Sequence, residues 1–105
     1  MPGPVYSVRI IAAHDQPAST PASYTVPAGK TLVVRSIDCY AGTTTLGVSF
    51  IAKGSAGQVF WGASTAPVSS GSRQWTGREV LYEGETFELE ADDVADLTAS
   101  GYLLD

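Results

Sequence analysis

Apolar and polar residues alternate along much of this chain with a period of two. Such alternation is typical of β-strands, because successive side chains of a strand point to opposite faces of the sheet. Gly, Pro, Ser and Asp separate the alternating segments, as turn residues do. The predicted strands are 6–12, 22–26, 31–40, 46–52, 58–61, 73–82, 85–90 and 96–104. About eight short strands at fairly even spacing predict an all-β protein, an antiparallel β-sandwich or jelly roll.

Two parts of the chain share a turn motif in which a glycine, a charged residue and a threonine lead into a strand. The motif is Gly-Lys-Thr at residues 29–31 and Gly-Glu-Thr at residues 84–86. A glycine at this point is typical of a tight turn that feeds a β-strand. The repetition predicts a sandwich built from two related halves.

Four local features modify this pattern. Neither face of the 31–40 strand is purely apolar, which predicts a bulge or register change near Arg35. Residues 54–57 have the composition of a hairpin turn, so the strands on either side should pair antiparallel. Residues 63–72 are rich in small residues and predict an exposed, mobile loop. Residues 91–95 predict a single helical turn with an aspartate as its N-cap.

The strand faces also predict a core. Its expected members are Val8, Ile10, Leu32, Val34, Val48, Phe50, Phe87, Leu89 and Leu103. Leu46 and Ala52 have the same period-two phase as Phe50, so we expect them on the same buried face. Cys39 lies on a strand between Asp38 and Tyr40, and we expect a small buried hydrophobic side chain rather than a reactive thiol.

The length and composition favour one small domain. At 105 residues the chain predicts a single domain, residues 1–105, that folds without disulfides or structural metals. Only 16% of residues are charged, which suits strands and turns better than long exposed helices. Cys39 is the only cysteine, so no disulfide forms within the chain. We expect a soluble protein, since the sequence shows neither a signal-peptide pattern nor an apolar stretch approaching the roughly 20 residues of a membrane span.

Charge is distributed unevenly along the chain. Residues 1–78 carry a net charge of +4 and residues 79–105 carry −9, which gives −5 in total. This balance disfavours nucleic acid and anionic membranes as partners, because both are bound mainly through Lys and Arg clusters. It leaves open a contact between the acidic part of one copy and the basic part of another. The candidate interface residues are Arg73, Trp75, Arg78, Glu88, Glu90, Asp92 and Asp93.

Other interpretations of these charged residues remain open. The two arginines beside Trp75 can equally be exposed strand residues that form weak pairs within the chain. Asp92, Asp93 and Asp96, with Glu90 nearby, offer oxygen ligands that suit calcium. They lack the glycine and the alternation of an EF-hand loop, so we expect a solvated acidic turn and no metal or other cofactor.

Evidence for catalysis is weak. His14 is the only histidine and is followed by Asp15, an arrangement that suits a general base beside a carboxylate. Successive strand residues point to opposite faces, so these two would meet only in a loop. The chain has no Gly-x-Ser-x-Gly motif. We therefore expect a protein that is not an enzyme, with His14 exposed to solvent.

Aromatic residues suggest one alternative function. Trp61, Trp75 and Tyr82 are candidates for a stacking platform that binds a cell-surface glycan, which would make the chain a carbohydrate-binding β-sandwich module. The competing interpretation is that these rings are core or interface anchors, where aromatic residues are common. An exposed aromatic row in a monomer would favour the glycan module.

Three segments carry a resemblance to a known group of proteins. The strand openings at residues 24–31 and 83–87, together with the terminal segment 98–104, resemble the small all-β virion proteins of tailed bacteriophages. The resemblance implies a non-enzymatic structural protein of the virion, associated with the tail or decorating the capsid. It also implies a homo-oligomer, made in the host cytoplasm, whose partners are copies of itself and other virion proteins.

Overall fold

Eight β-strands and one short 3₁₀ turn form the described part of the chain. The structure is a computed structural model and describes residues 8–105. Residues 6 and 7 of the first predicted strand lie outside the described residues. The strands are β1 Val8–Gln16, β2 Ala22–Thr25, β3 Thr31–Ala41, β4 Ser49–Lys53, β5 Val59–Ser64, β6 Gly71–Tyr82, β7 Thr86–Ala91 and β8 Ala95–Leu104, with the 3₁₀ turn at Ser55–Gly57.

The strands form two four-stranded sheets. Sheet A has the order β1-β8-β3-β6 and sheet B has the order β2-β7-β4-β5. All strand pairs in residues 8–105 are antiparallel, and β1 pairs with β8, β2 with β7, β3 with β6 and β4 with β5. This nested pairing is the connectivity of a jelly roll. The predicted fold class, an all-β antiparallel sandwich of about eight strands, is confirmed.

The repeated turn motif forms two similar turns that touch each other. Gly29 and Gly84 have φ angles of 77° and 81°, a region that glycine adopts without steric cost. The turns are closed by hydrogen bonds from Lys30 N to Pro27 O and from Glu85 N to Tyr82 O. The backbone of Val26 joins them, since its N–H donates to Glu85 O and its carbonyl accepts from Gly84 N. The motif therefore predicted both turns correctly.

The core lies between the sheets, and most of its predicted members are there. Leu32, Val34, Val48, Phe50, Phe87 and Leu89 are all buried. Val8 and Leu103 are 55% and 37% exposed, so their prediction as core residues was wrong. Ile10 is only partly buried, although it packs against the core.

A register shift between β1 and β8 explains why Ile10 is not fully buried. The register between these strands shifts between Arg9 and Ile11, so that Ile11 rather than Ile10 takes the buried position. Such a bulge changes which side chains face inward.

The predicted bulge in β3 is confirmed. The register shifts between Val34 and Ser36 relative to both neighbouring strands, β8 and β6. Val34 and Ile37 are both buried, so the two residues between them, Arg35 and Ser36, both face outward. On β6 the corresponding extra residues are Gly77 and Arg78. The bulges in β1, β3 and β6 therefore lie at the same level of sheet A. Bulges of this kind increase the local twist of a sheet.

The predictions for two connections had different outcomes. The 54–57 turn joins the antiparallel pair β4 and β5, as expected. The predicted helical turn at 91–95 was wrong, because the chain bends there and enters β8 at Ala95. Hydrogen bonds between Asp92 and Ser49 hold this bend against β4: Asp92 N donates to Ser49 O, and Ser49 N donates to Asp92 Oδ1.

The other two loops are also shorter or longer than expected. The 63–72 loop is reduced to residues 65–70, and Thr65 is buried with its hydroxyl accepting a hydrogen bond from Val48 N. β4 begins at Ser49, so Leu46 belongs to a loop and is 86% exposed. The burial predicted for Leu46 was wrong.

Candidate assembly surfaces

The two arginines of the predicted interface lie on different sides of β6. Arg73 pairs with Cys39, a buried residue, and therefore faces the space between the sheets. Its Nε donates to Ser64 O at 2.9 Å and its Nη1 donates to Ser72 O at 2.8 Å. Arg78 is exposed on the outer face of sheet A. Arg73 thus connects the edges of the two sheets within one chain, and only Arg78 is available to a neighbouring copy.

Trp75 also faces inward. It pairs with Ile37 and packs edge-on against Phe60, with ring centroids 5.2 Å apart and planes at 65°. Phe60 in turn lies 6.1 Å from the ring of Phe87. Edge-to-face aromatic contacts of this kind add to the stability that comes from burying apolar area. The structure therefore places Trp75 at the margin of the core. The sequence had predicted it as a candidate interface residue.

The three aromatic residues of the candidate glycan platform do not form one row. Trp61 packs against the core from β5 and is only partly exposed. Tyr82 is 62% exposed on the outer face of sheet A, seven residues along β6 from Trp75, which corresponds to about 23 Å. The two tryptophans and Tyr82 thus belong to different surfaces.

The outer face of sheet A carries three exposed arginines near the coincident bulges. They are Arg9 on β1, Arg35 on β3 and Arg78 on β6. Within residues 8–105 the ion pairs are formed by Lys30 and Lys53, and His14 contacts two carboxylates. These arginines are therefore not neutralised within the described chain. Arg9 and Arg35 were not among the predicted interface residues, although a bulge was predicted near Arg35.

Tyrosines accompany the arginines on this face. Tyr40 and Tyr82 are 49% and 62% exposed, and Tyr102 is partly exposed on β8. Two carboxylates, Asp38 and Asp96, also lie on this face; Asp38 is two residues beyond the bulge in β3, and Asp96 lies opposite Tyr40. Arginine and tyrosine are enriched in protein interfaces. The composition of the face suits binding to another protein.

The outer face of sheet B carries carboxylates. Glu88 and Glu90 alternate along β7 with the buried residues Phe87, Leu89 and Ala91, and so point outward. Lys53 on β4 lies opposite Glu88 and forms a 3.2 Å ion pair with Glu90.

The row of carboxylates continues beyond the end of β7. Asp92 is exposed, although its Oδ1 accepts from Ser49 N, and Asp93 accepts a hydrogen bond from Val94 N through its own Oδ1. The predicted acidic residues of the interface are therefore neighbours in space, and they lie on the sheet opposite to Arg78.

One group of titratable side chains comes together that the sequence only partly predicted. His14 Nδ1 lies 2.8 Å from Asp96 Oδ1, and His14 Nε2 lies 3.3 Å from Asp15 Oδ2. A second register shift between Ala13 and Gln16 makes this contact possible. His14 and Asp15 are 82% and 71% exposed, so their pairing contributes little to stability.

The residues considered as candidate calcium ligands lie apart in the structure. Asp96 faces outward from β8 in sheet A and binds His14. Asp92 and Asp93 lie in the β7–β8 connection, where they bind backbone N–H groups. Asp96 therefore does not converge with these two residues on one site.

Two pKa values depart from their ordinary range. Burial of the thiol, with a smaller contribution from the charge of Asp38, raises the pKa of Cys39 to about 12. Hydrogen bonds from the Ser55 hydroxyl and then from Tyr82 N lower the pKa of Glu85. The raised pKa keeps the Cys39 thiol protonated and unreactive at neutral pH. Cys39 is buried, as the sequence predicted. The lowered pKa belongs to a carboxylate that connects the β6–β7 turn to the 3₁₀ turn.

The long edge strand β6 is protected against pairing with another chain. Arg73 and Glu79 occupy inward-facing positions along this edge, and Glu79 lies near Gly54 of the facing layer. Charged residues that point inward and bulges both discourage edge-to-edge pairing of sheets. The outer faces are therefore better candidates for contacts than this edge.

Comparison with known proteins gave no match: no protein-family model and no curated protein is similar to this chain. Among residues 8–105 no helix has the length and hydrophobicity needed to span a membrane.

Proposed function

We propose that this protein is a non-enzymatic structural protein of a bacteriophage virion, associated with the tail or decorating the capsid. It works by binding copies of itself and other virion proteins. The observation that best supports this proposal is the distribution of charge over the sandwich. Unpaired arginines lie on the outer face of sheet A, and carboxylates lie on the outer face of sheet B. A small domain with a row of arginines on one face and a row of carboxylates on the other is suited to repeated contacts between copies.

Two further observations support the proposal. The protected edge of β6 disfavours extension of sheet A by strand pairing. The turn motifs that carry the resemblance to phage virion proteins form similar turns at adjacent positions in the fold.

Light scattering on the purified protein tests self-association. We expect a mass above that of one chain, rising with protein concentration and falling at high salt, because salt screens contacts between exposed charges. The mass of a single chain at every concentration, at both low and high salt, would contradict self-assembly.

Immunogold electron microscopy of purified phage particles tests the location. We expect label on the tail or on the capsid surface, together with detection of the protein in those particles by mass spectrometry. Particles that carry neither label nor protein would exclude a role in the virion.

A further inference from the structure

We infer that two copies pack face to face, with the outer face of sheet A of one copy on the outer face of sheet B of the next, and that their strands cross near a right angle. This inference rests on the proposed function, because it specifies the contact through which copies assemble. It follows from the directions in which the two rows of charges run.

The arginines form a row that runs across the strands of sheet A. Arg9, Arg35 and Arg78 lie on β1, β3 and β6 near the same level, where the register irregularities coincide. Within the order β1-β8-β3-β6, these strands span three inter-strand spacings. At about 4.8 Å for each spacing, the row is about 14 Å long.

The carboxylates form a row that runs along a strand of sheet B. Glu88 and Glu90 are alternate residues of β7, and Asp92 follows just beyond its end. Four residues of extended chain separate the first from the last. At about 3.4 Å for each residue, this row is also about 14 Å long.

Rows of equal length match only when they run in the same direction. One row is perpendicular to its strands and the other is parallel to its strand. They therefore coincide when the strands of the two copies cross at about 90°, which is one of the two preferred angles for packing one sheet on another. In that arrangement the three guanidinium groups lie over the row of carboxylates, of which Glu90 is also paired with Lys53. Hydrogen bonds between guanidinium and carboxylate groups are among the stronger ones in proteins.

The same charges disfavour symmetric pairing of like faces. Two sheet A faces with their arginine rows superimposed, or two sheet B faces with their carboxylate rows superimposed, would bring like charges together, and both arrangements cost free energy. The contact is therefore heterologous, and each copy uses a different surface toward each of its two neighbours. Such contacts generate rings when the rotation closes and filaments when it does not.

The size of the contact sets the conditions for a test. The strands of sheet B contain four to six residues, so the sheet measures about 19 Å by 17 Å. An overlap of that size is at the small end of protein interfaces, where association is weak or transient. The experiment therefore needs low salt and a concentration series that reaches the millimolar range.

Paired variants test each face separately. Arg35→Gln with Arg78→Gln neutralises the basic face, and Glu88→Gln with Glu90→Gln neutralises the acidic face. The matched control, Lys30→Gln with Glu83→Gln, removes one charge of each sign from the turns at one end of the sandwich. Glu88→Gln alone repeats the acidic test without breaking the Lys53–Glu90 ion pair. Circular dichroism and thermal unfolding establish that each variant is folded.

Light scattering distinguishes the outcomes. We expect each face variant to raise the dissociation constant by about tenfold or more and the control to behave as wild type. An equimolar mixture of the two face variants should form a dimer and nothing larger, because each copy keeps only one intact face and the intact faces of the two variants are complementary.

Two results would overturn the inference, and they differ in what they leave standing. Assemblies of unchanged size in both face variants, or face variants that dissociate but form no dimer when mixed, would exclude face-to-face packing and leave self-assembly intact. A wild-type protein that is monomeric up to millimolar concentration at low salt would overturn self-assembly as well.

Discussion

At the scale of single residues, Cys39 shows how position determines chemistry. The sequence predicted a buried thiol from its place on a strand, and the side chain is 1% exposed within the core. Burial disfavours the charged thiolate, which accounts for most of the rise in its pKa to about 12. The neighbouring carboxylate of Asp38 adds to the effect.

This shift predicts a loss of stability at high pH. Above about pH 9 the thiol ionises in the unfolded chain but stays protonated in the folded one, so the unfolded state is favoured. From this group the free energy of unfolding should fall by about 1.4 kcal/mol for each pH unit between pH 9 and the folded-state pKa. Urea unfolding of wild type and Cys39→Ala at pH 8, 9 and 10 measures the difference. Parallel pH profiles for the two proteins would contradict the prediction.

Gly101 is a residue whose lack of a side chain matters. A Cβ atom at this position would overlap the carbonyl oxygen of Val33 on the adjacent strand and would lie 2.9 Å from Ile10 Cδ1. We expect Gly101→Ala to lower the free energy of unfolding by about 1 to 3 kcal/mol, since the strands must separate to make room.

Gly42→Ala is the matched control for this substitution. A Cβ at Gly42 meets no atom within 4 Å. Its substitution should leave stability unchanged or slightly raised, because alanine restricts the unfolded chain. Equal urea midpoints for the two variants would show that strand separation at Gly101 costs nothing.

At the scale of strands, alternation predicted which elements exist better than it predicted which residues face inward. The bulge in β3 was predictable because Arg35 and Asp38 interrupt an apolar strand on both faces. The bulge in β1 was not, because Ile10 and Ile11 are both apolar and either could take the buried position. Only the pairing with β8 selects Ile11.

Contacts between distant residues account for the failed helical turn. Residues 91–95 have local helix signals, but the carboxylate of Asp92 binds the backbone of Ser49, 43 residues away. A bond of that range has no signature in a local pattern. The same limit applies to Arg73, whose inward direction depends on Ser64 in the opposite sheet.

The two central phenylalanines test the packing of the strands. Phe50 on β4 and Phe87 on β7 are 1% and 0% exposed. Phe50→Ala or Phe87→Ala should each lower the free energy of unfolding by about 3 to 5 kcal/mol, through lost burial and the cavity that remains. Urea unfolding measures the change.

Leu46→Ala is the control for these truncations. Leu46 has the same period-two phase in the sequence as Phe50 but is 86% exposed. Its truncation should change stability by less than about 0.5 kcal/mol. No loss of stability in Phe50→Ala would mean that β4 has the opposite face inward, and a large loss in Leu46→Ala would contradict the exposed position of Leu46.

At the scale of the whole molecule, the fold converts a charge gradient along the sequence into a charge difference between faces. The acidic segment begins at residue 79 and supplies β7, which places Glu88 and Glu90 on sheet B. The basic residues Arg9, Arg35 and Arg78 come from three strands that are far apart in sequence but belong to one sheet. The sequence predicted the asymmetry. It could not assign the faces, because that requires the strand order.

The pairing of β1 with β8 has a mechanical consequence. Val8 lies opposite Gly101, so the start of β1 and the last residues of β8 lie at the same end of sheet A. Tension applied between the two ends would open the hydrogen bonds of this strand pair one after another, as in a zipper, and that geometry resists little force. Compression across the two faces would load the packed core instead. A molecule built in this way tolerates being squeezed between neighbours far better than being pulled by its ends.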